Sequence, residues 1–225
     1  MSKECEELHK LFSSLKRYSF PFNKKEIPEN GIYILFEKGE LAHETDRIVR
    51  IGTHTGQNQL GSRLKQHFQN PKKDRSIFRK NIGRALLNKN KDTFLKQWEL
   101  DLTSRKAKET LAEDIDINKQ NQIEEQVTKY IQDNFSFAVF PAEEKDKRLE
   151  IEAKIISTIS SCKECKSSQN WLGFHCPNEK LQSKRVYENC LKIRSSGLWN
   201  VNELYKQTLS NEDINKLKEL IKNAN

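Results

Sequence analysis

Gly31-Ile32-Tyr33-Ile34-Leu35-Phe36 carries no charge, and Arg47-Ile48-Val49-Arg50-Ile51-Gly52 follows it after the turn-rich Glu37-Lys38-Gly39-Glu40. Such density of β-branched and aromatic residues predicts two buried strands, joined as an antiparallel hairpin with an elongated loop. Alternation sends Tyr33 to the face opposite Ile32 and Ile34. Upstream, Leu8, Leu11, Phe12 and Leu15 recur at helical spacing until Pro21 and Pro28 interrupt the pattern. Downstream, a polar, glycine-containing stretch over 53–61 leads into Leu60, Leu64 and Phe68, the spacing of a packed helix. A second helix is predicted over 76–87. Phe135-Ser136-Phe137-Ala138-Val139-Phe140 returns to strand character, and Ile151, Ile155, Ile156 and Ile159 stripe a helix over 149–160. The expected fold is α/β of the α+β kind, a small and mostly antiparallel three-stranded sheet flanked by helices. A helical extension over 1–30 precedes the main domain at 31–205, which carries a charged helical insertion at about 88–134, and a last amphipathic helix lies within 206–225.

The chain has 225 residues, enough for one domain with an elaborate insertion and a real core. Its 35% hydrophobic share is low, but the apolar runs exclude general disorder. Forty Lys and Arg against 32 Asp and Glu give a formal charge of +8, the direction expected of a phosphate-binding protein. Charge in Met1-Ser2-Lys3-Glu4-Cys5-Glu6-Glu7 argues against a secretory signal, and no apolar run nears the ~20 residues that span a bilayer. A cytoplasmic protein with no membrane partner is expected. The five cysteines are an odd number, which fits reduced thiols. Cys162-Lys163-Glu164-Cys165 with Cys176 and Cys190 is formally a four-thiolate set, but its spacing is loose and a structural zinc is not expected.

Gly31-Ile32-Tyr33 on one strand and Arg50-Ile51-Gly52 on the next resemble the paired motifs of the GIY-YIG nucleases, with arginine in place of the second tyrosine. Arg63 and His67, four apart on one helix face, resemble the family's arginine helix. Glu152-Ala153-Lys154-Ile155-Ile156 resembles its glutamate helix, and Asn170 its late asparagine. The likeness extends to a subgroup marked by Arg50-Ile51-Gly52-Thr53-His54, Arg75-Ser76-Ile77-Phe78-Arg79 and Ser196-Gly197-Leu198-Trp199-Asn200, and covers roughly 31–87 and 135–205.

Hydrolysis of a phosphodiester requires an activated water, stabilisation of charge at phosphorus and help for the departing oxygen. The resemblance implies that Glu152 anchors one Mg²⁺, with Mn²⁺ able to substitute. A carboxylate at the edge of an apolar stripe is costly unless something pairs with it, and a surface ion pair with Lys147 or Arg148 is the alternative to a metal. Tyr33 is assigned to the proton of the attacking water, since a nearby cation favours phenolate; its alternative is a core tyrosine with a satisfied hydroxyl. Arg63 suits bidentate contact with the scissile phosphate. His67 reaches the phosphate or the tyrosine. Arginine cannot be a base, so Arg50 binds phosphate or acts on Tyr33, and His54 is the other candidate base. Asn170 orients a phosphate or caps a turn. Arg75, Arg79, Lys80 and Arg84 are expected to form a stripe along the DNA backbone, the alternative being a solvated basic face.

The resemblance implies hydrolysis of double-stranded DNA by a sequence-specific restriction or phage-defence endonuclease. Cutting both strands with one site per chain implies a homodimer, and a restriction setting implies a DNA methyltransferase acting on the same sequence. The alternatives are a structure-specific repair or recombination nuclease and a DNA-binding module without catalysis, the latter raised by Arg50.

Overall fold

The computed structural model describes residues 2–111, 114–178 and 184–222. A helix α1 (Ser2–Ser13) precedes the short strand β1 (Tyr18–Ser19) and the hairpin of β2 (Gly31–Ala42) and β3 (Thr45–Gly52). The helices α2 (Leu60–Phe68), α3 (Ile77–Lys89), α4 (Leu95–Trp98), α5 (Arg105–Thr110) and α6 (Ile117–Asn134) then lead to β4 (Phe135–Pro141). The chain finishes with α7 (Lys145–Ser160), α8 (Lys184–Ser196) and α9 (Asn211–Lys222). No helix among the described residues is long and apolar enough to cross a membrane.

The sheet is antiparallel in the order β1-β4-β2-β3, so the strand bearing Tyr33 is central and β3 is an edge. It has four strands, one more than expected: Tyr18 and Ser19 pair with Phe137 and Ser136, a pairing too short to leave a periodic signal. The hairpin also turns later than its sequence suggests. Glu37-Lys38-Gly39-Glu40 stays within β2, where Gly39 at φ +85° takes up a register irregularity, and the reversal falls at His43 and Glu44.

Period-2 alternation divides the apolar residues between two cores. On one face Tyr33, Leu35 and Val49 pack with Leu64 and Phe68 of α2, Phe78 and Ile82 of α3, and Ile123, Val127 and Ile131 of α6. On the other, Ile32, Ile34, Phe36, Ile48 and Ile51 meet Leu8 and Phe12 of α1, Ile155 and Ile159 of α7, and Leu217 of α9. The segment at 88–134 joins the first core through Phe94, Leu95 and Trp98. Trp98 fits because residue 83 is glycine, where a Cβ would stand 2.3 Å from the indole.

Candidate active site

Tyr33 sits directly opposite Gly52 in the β2–β3 register and is fully buried. A Cβ on Gly52 would stand 2.1 Å from the Tyr33 hydroxyl, and one on Gly31 would stand 2.3 Å from the carbonyl oxygen of Phe140. The first glycine makes room for the phenol, the second for β4. His67, one turn after Arg63 on α2, is buried and holds Nε2 2.8 Å from the Tyr33 hydroxyl. Its Nδ1 lies 2.9 Å from Oγ of Ser76, which caps α3 by accepting from the N–H of Arg79 at 3.3 Å. Two proton assignments engage every one of these atoms: Ser76 donating to Nδ1 with Nε2–H donating to the tyrosine oxygen, or the tyrosine hydroxyl donating to Nε2 with Nδ1–H donating to Ser76. Burial holds the imidazole well below its ordinary pKa, and Arg63, Arg50 and Arg79 add to this, so His67 is neutral at neutral pH.

Glu152 reaches this region from α7 and accepts the N–H of Thr53 at 3.1 Å, immediately after β3. Burial pushes its carboxyl up to about 7, against the pull of Arg50, the Thr53 hydrogen bond and Arg63, with Glu203 adding to the rise. Neither basic neighbour on α7 neutralises it: Lys147 pairs with Glu144, and Arg148 gives its guanidinium to the carbonyls of Ala142, Glu143 and His54. Its second oxygen has no hydrogen-bond partner among the described residues. A desolvated carboxylate with one oxygen free fits a single hard divalent cation.

Two guanidinium groups flank the carboxylate. Arg50 is opposite Leu35 in the register, on the Tyr33 side of the sheet, where it donates to the Trp199 carbonyl at 3.0 Å and lies over the Phe78 ring. Its Nε is buried with no partner among the described residues. Arg63 is half-buried, held by Gln66 at 2.9 Å and the Arg75 carbonyl at 3.3 Å. Thr53, His54, Ser62, Arg63 and Gln66 line a cleft of about 490 Å³.

His54 is engaged through both ring nitrogens. Nδ1–H donates to the Gly56 carbonyl at 2.7 Å, Nε2 accepts the N–H of Gly31 at 3.3 Å, and burial lowers its pKa. A ring that already accepts from the backbone has no lone pair left for a water. Asn170 is exposed in the loop before Trp171, whose indole reaches Glu37, four residues along β2 from Tyr33. The asparagine that touches the site strands is Asn200. It is buried and brackets Ile51, accepting the N–H at 3.1 Å and donating to the carbonyl at 2.9 Å. Its motif is visible in the sequence, but an edge strand that needs a polar bracket leaves no periodic signal. Arg148, expected at the surface beside Glu152, is fully buried.

The basic stripe on α3 comes apart in the fold. Arg79 is fully buried against Glu124 at 2.7 Å, Arg84 is bound by Glu99 at 2.6 Å and by Asn81, and Lys80 is held by Asp74 at 2.8 Å. Only Arg75 is exposed. These cations pack the segment at 88–134 against α3, and a buried cation requires such acids. The four-thiolate set is also divided: all five cysteines are free thiols, with Cys176 and Cys190 in the first core and Cys162 and Cys165 at the second.

A GIY-YIG domain model matches residues 5–225. No curated protein and no solved structure matches the chain. With nearly the whole length matched, and the two glycines placed where Tyr33 and β4 require them, the chain belongs to the GIY-YIG family of nucleases.

Proposed function

We propose that this chain is a divalent-metal-dependent endonuclease of double-stranded DNA in which Tyr33 takes the proton of the attacking water. The observation that carries the proposal is the hydrogen bond between Tyr33 and a neutral, buried His67. In the tautomer protonated at Nε2, the neutral imidazole donates to the tyrosine oxygen and stabilises negative charge there, and Arg50 and Arg63 lie on the same side. With both nitrogens of His54 turned to the backbone, Tyr33 is the better candidate for the base.

Arg63 stands at the cleft and suits the non-bridging phosphate oxygens as charge develops on them. Arg50, anchored by Trp199, adds fixed positive potential without taking a proton. Glu152 would hold the cation, Mg²⁺ with Mn²⁺ as substitute, which when bound neutralises phosphate charge and supports the departing oxygen. The carboxylate of Glu152 is held in place by the Thr53 amide.

A restriction or phage-defence setting is supported by the Arg50-Ile51-Gly52-Thr53-His54 and Ser196-Gly197-Leu198-Trp199-Asn200 segments, which resemble such enzymes. In that setting two copies cut the two strands, and a methyltransferase protects the host's sites. Supercoiled plasmid incubated with the protein and Mg²⁺ is expected to yield discrete linear fragments, while Tyr33→Phe and Glu152→Ala lose at least about 10²-fold in rate and keep their DNA affinity. Wild-type protein inert on every DNA with Mg²⁺ or Mn²⁺ overturns the enzyme, and preference for flaps or junctions overturns the restriction setting.

A further inference from the structure

On the face of the sheet away from Tyr33, side chains from three distant segments meet. Cys5 and His9 lie one turn apart on α1, His43 lies in the turn between β2 and β3, and Cys165 follows α7. Their ligand atoms, two sulfurs and two ring nitrogens, all lie within 4.8 Å of one another. Cys162 adds a third thiol, 3.7 Å from His43 Nε2.

The spacing is close enough for small side-chain rotations to close a coordination shell. Bonds of about 2.3 Å from zinc to sulfur and about 2.0–2.1 Å to nitrogen put tetrahedral ligands roughly 3.6 to 3.8 Å apart. Five side chains compete for four positions, and hydrogen bonding separates them. His9 lies 3.6 Å from the sulfurs of both Cys5 and Cys165, but it donates from Nδ1 to the Cys5 carbonyl at 2.9 Å and accepts the N–H of Ile48 on Nε2 at 3.2 Å, so both nitrogens are already committed to the backbone. His43 carries no such commitment to the backbone among the described residues.

The turn supplies an independent sign. His43 and Glu44 take φ of +50° and +61°, and this kind of hairpin turn favours Asn-Gly or Asp-Gly. A left-handed conformation is unfavourable for a non-glycine residue, and here it brings an imidazole to Cys162. An open cavity lined in part by Cys162 and Cys165 gives an ion a route in.

We propose that Cys5, His43, Cys162 and Cys165 form a structural Zn²⁺ site, with His9 holding α1 and the Cys5 carbonyl in position. Three thiols release their protons to solvent as three zinc–sulfur bonds form, and the imidazole binds through a neutral nitrogen. This ion ties α1 to the hairpin and to the end of α7. It is separate from the cation at Glu152 and independent of the nuclease reading. The sequence offers Cys176 and Cys190 as formal companions of the CxxC pair, at a spacing too loose to expect zinc, because nothing local links residues 5 and 43 to residue 162.

Metal content of the purified full-length protein tests the proposal. One zinc per chain is expected to survive gel filtration, and the metal-free protein is expected to take up one Zn²⁺ or Co²⁺, the cobalt form showing tetrahedral bands and thiolate charge transfer. Cys5→Ser and Cys165→Ser are expected to lose the metal, whereas Cys176→Ser and His9→Gln keep one equivalent, the latter with the three-thiolate spectrum intact. The wild-type titration stands even if a cysteine variant fails to fold. No stoichiometric uptake by wild type, or uptake unchanged in the Cys5→Ser/Cys165→Ser double variant, overturns the site; loss of metal in folded His9→Gln with retention in Cys162→Ala overturns the ligand set.

Discussion

A side chain on residue 52 and the Tyr33 hydroxyl cannot occupy the same space. Gly52→Ala is expected to displace the phenol from His67, costing about 1–3 kcal/mol of stability and abolishing cleavage in a plasmid assay. Glu152 carries a different signature. Its carboxyl titrates near 7 in the fold, above the ordinary 4.5, so the unfolded chain ionises first. The stability contributed by the neutral form is complete below about 4.5 and is lost as pH rises towards 7, by on the order of 3 kcal/mol if the whole shift is expressed. In metal-free buffer at pH 8, Glu152→Gln is expected to melt higher than wild type and to lose this pH dependence. Mg²⁺ is expected to raise the wild-type melting temperature and leave the variant unmoved. A wild-type melting curve indifferent to pH between 5 and 8 would show that burial does not perturb this carboxyl.

At the level of elements, α3 separates what charge alone conflates. Arg79→Ala leaves Glu124 buried without its partner and is expected to cost about 3–5 kcal/mol in a denaturant titration. Arg75→Ala is expected to leave the denaturation midpoint in place and to weaken salt-dependent DNA binding, since Arg75 is the residue of that group exposed to solvent. The helix itself was legible because its apolar period is local. The fate of its cations was not, because Glu99 and Glu124 belong to the 88–134 segment, which the sequence showed only as charged and helix-prone. Much the same holds for β2 and β3, whose alternation was readable while the late turn at His43 and Glu44 was hidden behind a glycine that looked like the turn.

Across the whole molecule, legibility follows sequence distance. Arg63 and His67 share a helix face, and Tyr33 declares its side of the sheet by alternation, so three members of the candidate site are placed by short patterns. Glu152 was found by resemblance, and its isolation from Lys147 and Arg148 emerged only from the packing. Asn200 carries no such short pattern, because bracketing Ile51 is a property of two segments 149 residues apart. Asn200→Ala is expected to cost about 2 kcal/mol and to speed hydrogen exchange at the Ile51 amide.

Glu37 accepts hydrogen bonds from Tyr130, Trp171 and Trp199, and Trp199 also holds Arg50 through its carbonyl. Read along the time axis of synthesis, these contacts set an order of completion. A ribosome releases Tyr33, Arg63 and His67 early, but Glu37 waits for its last indole and β3 for its bracket until residues 199 and 200 have emerged. A chain interrupted before that point has Tyr33, Arg63 and His67 and lacks the frame that aligns them.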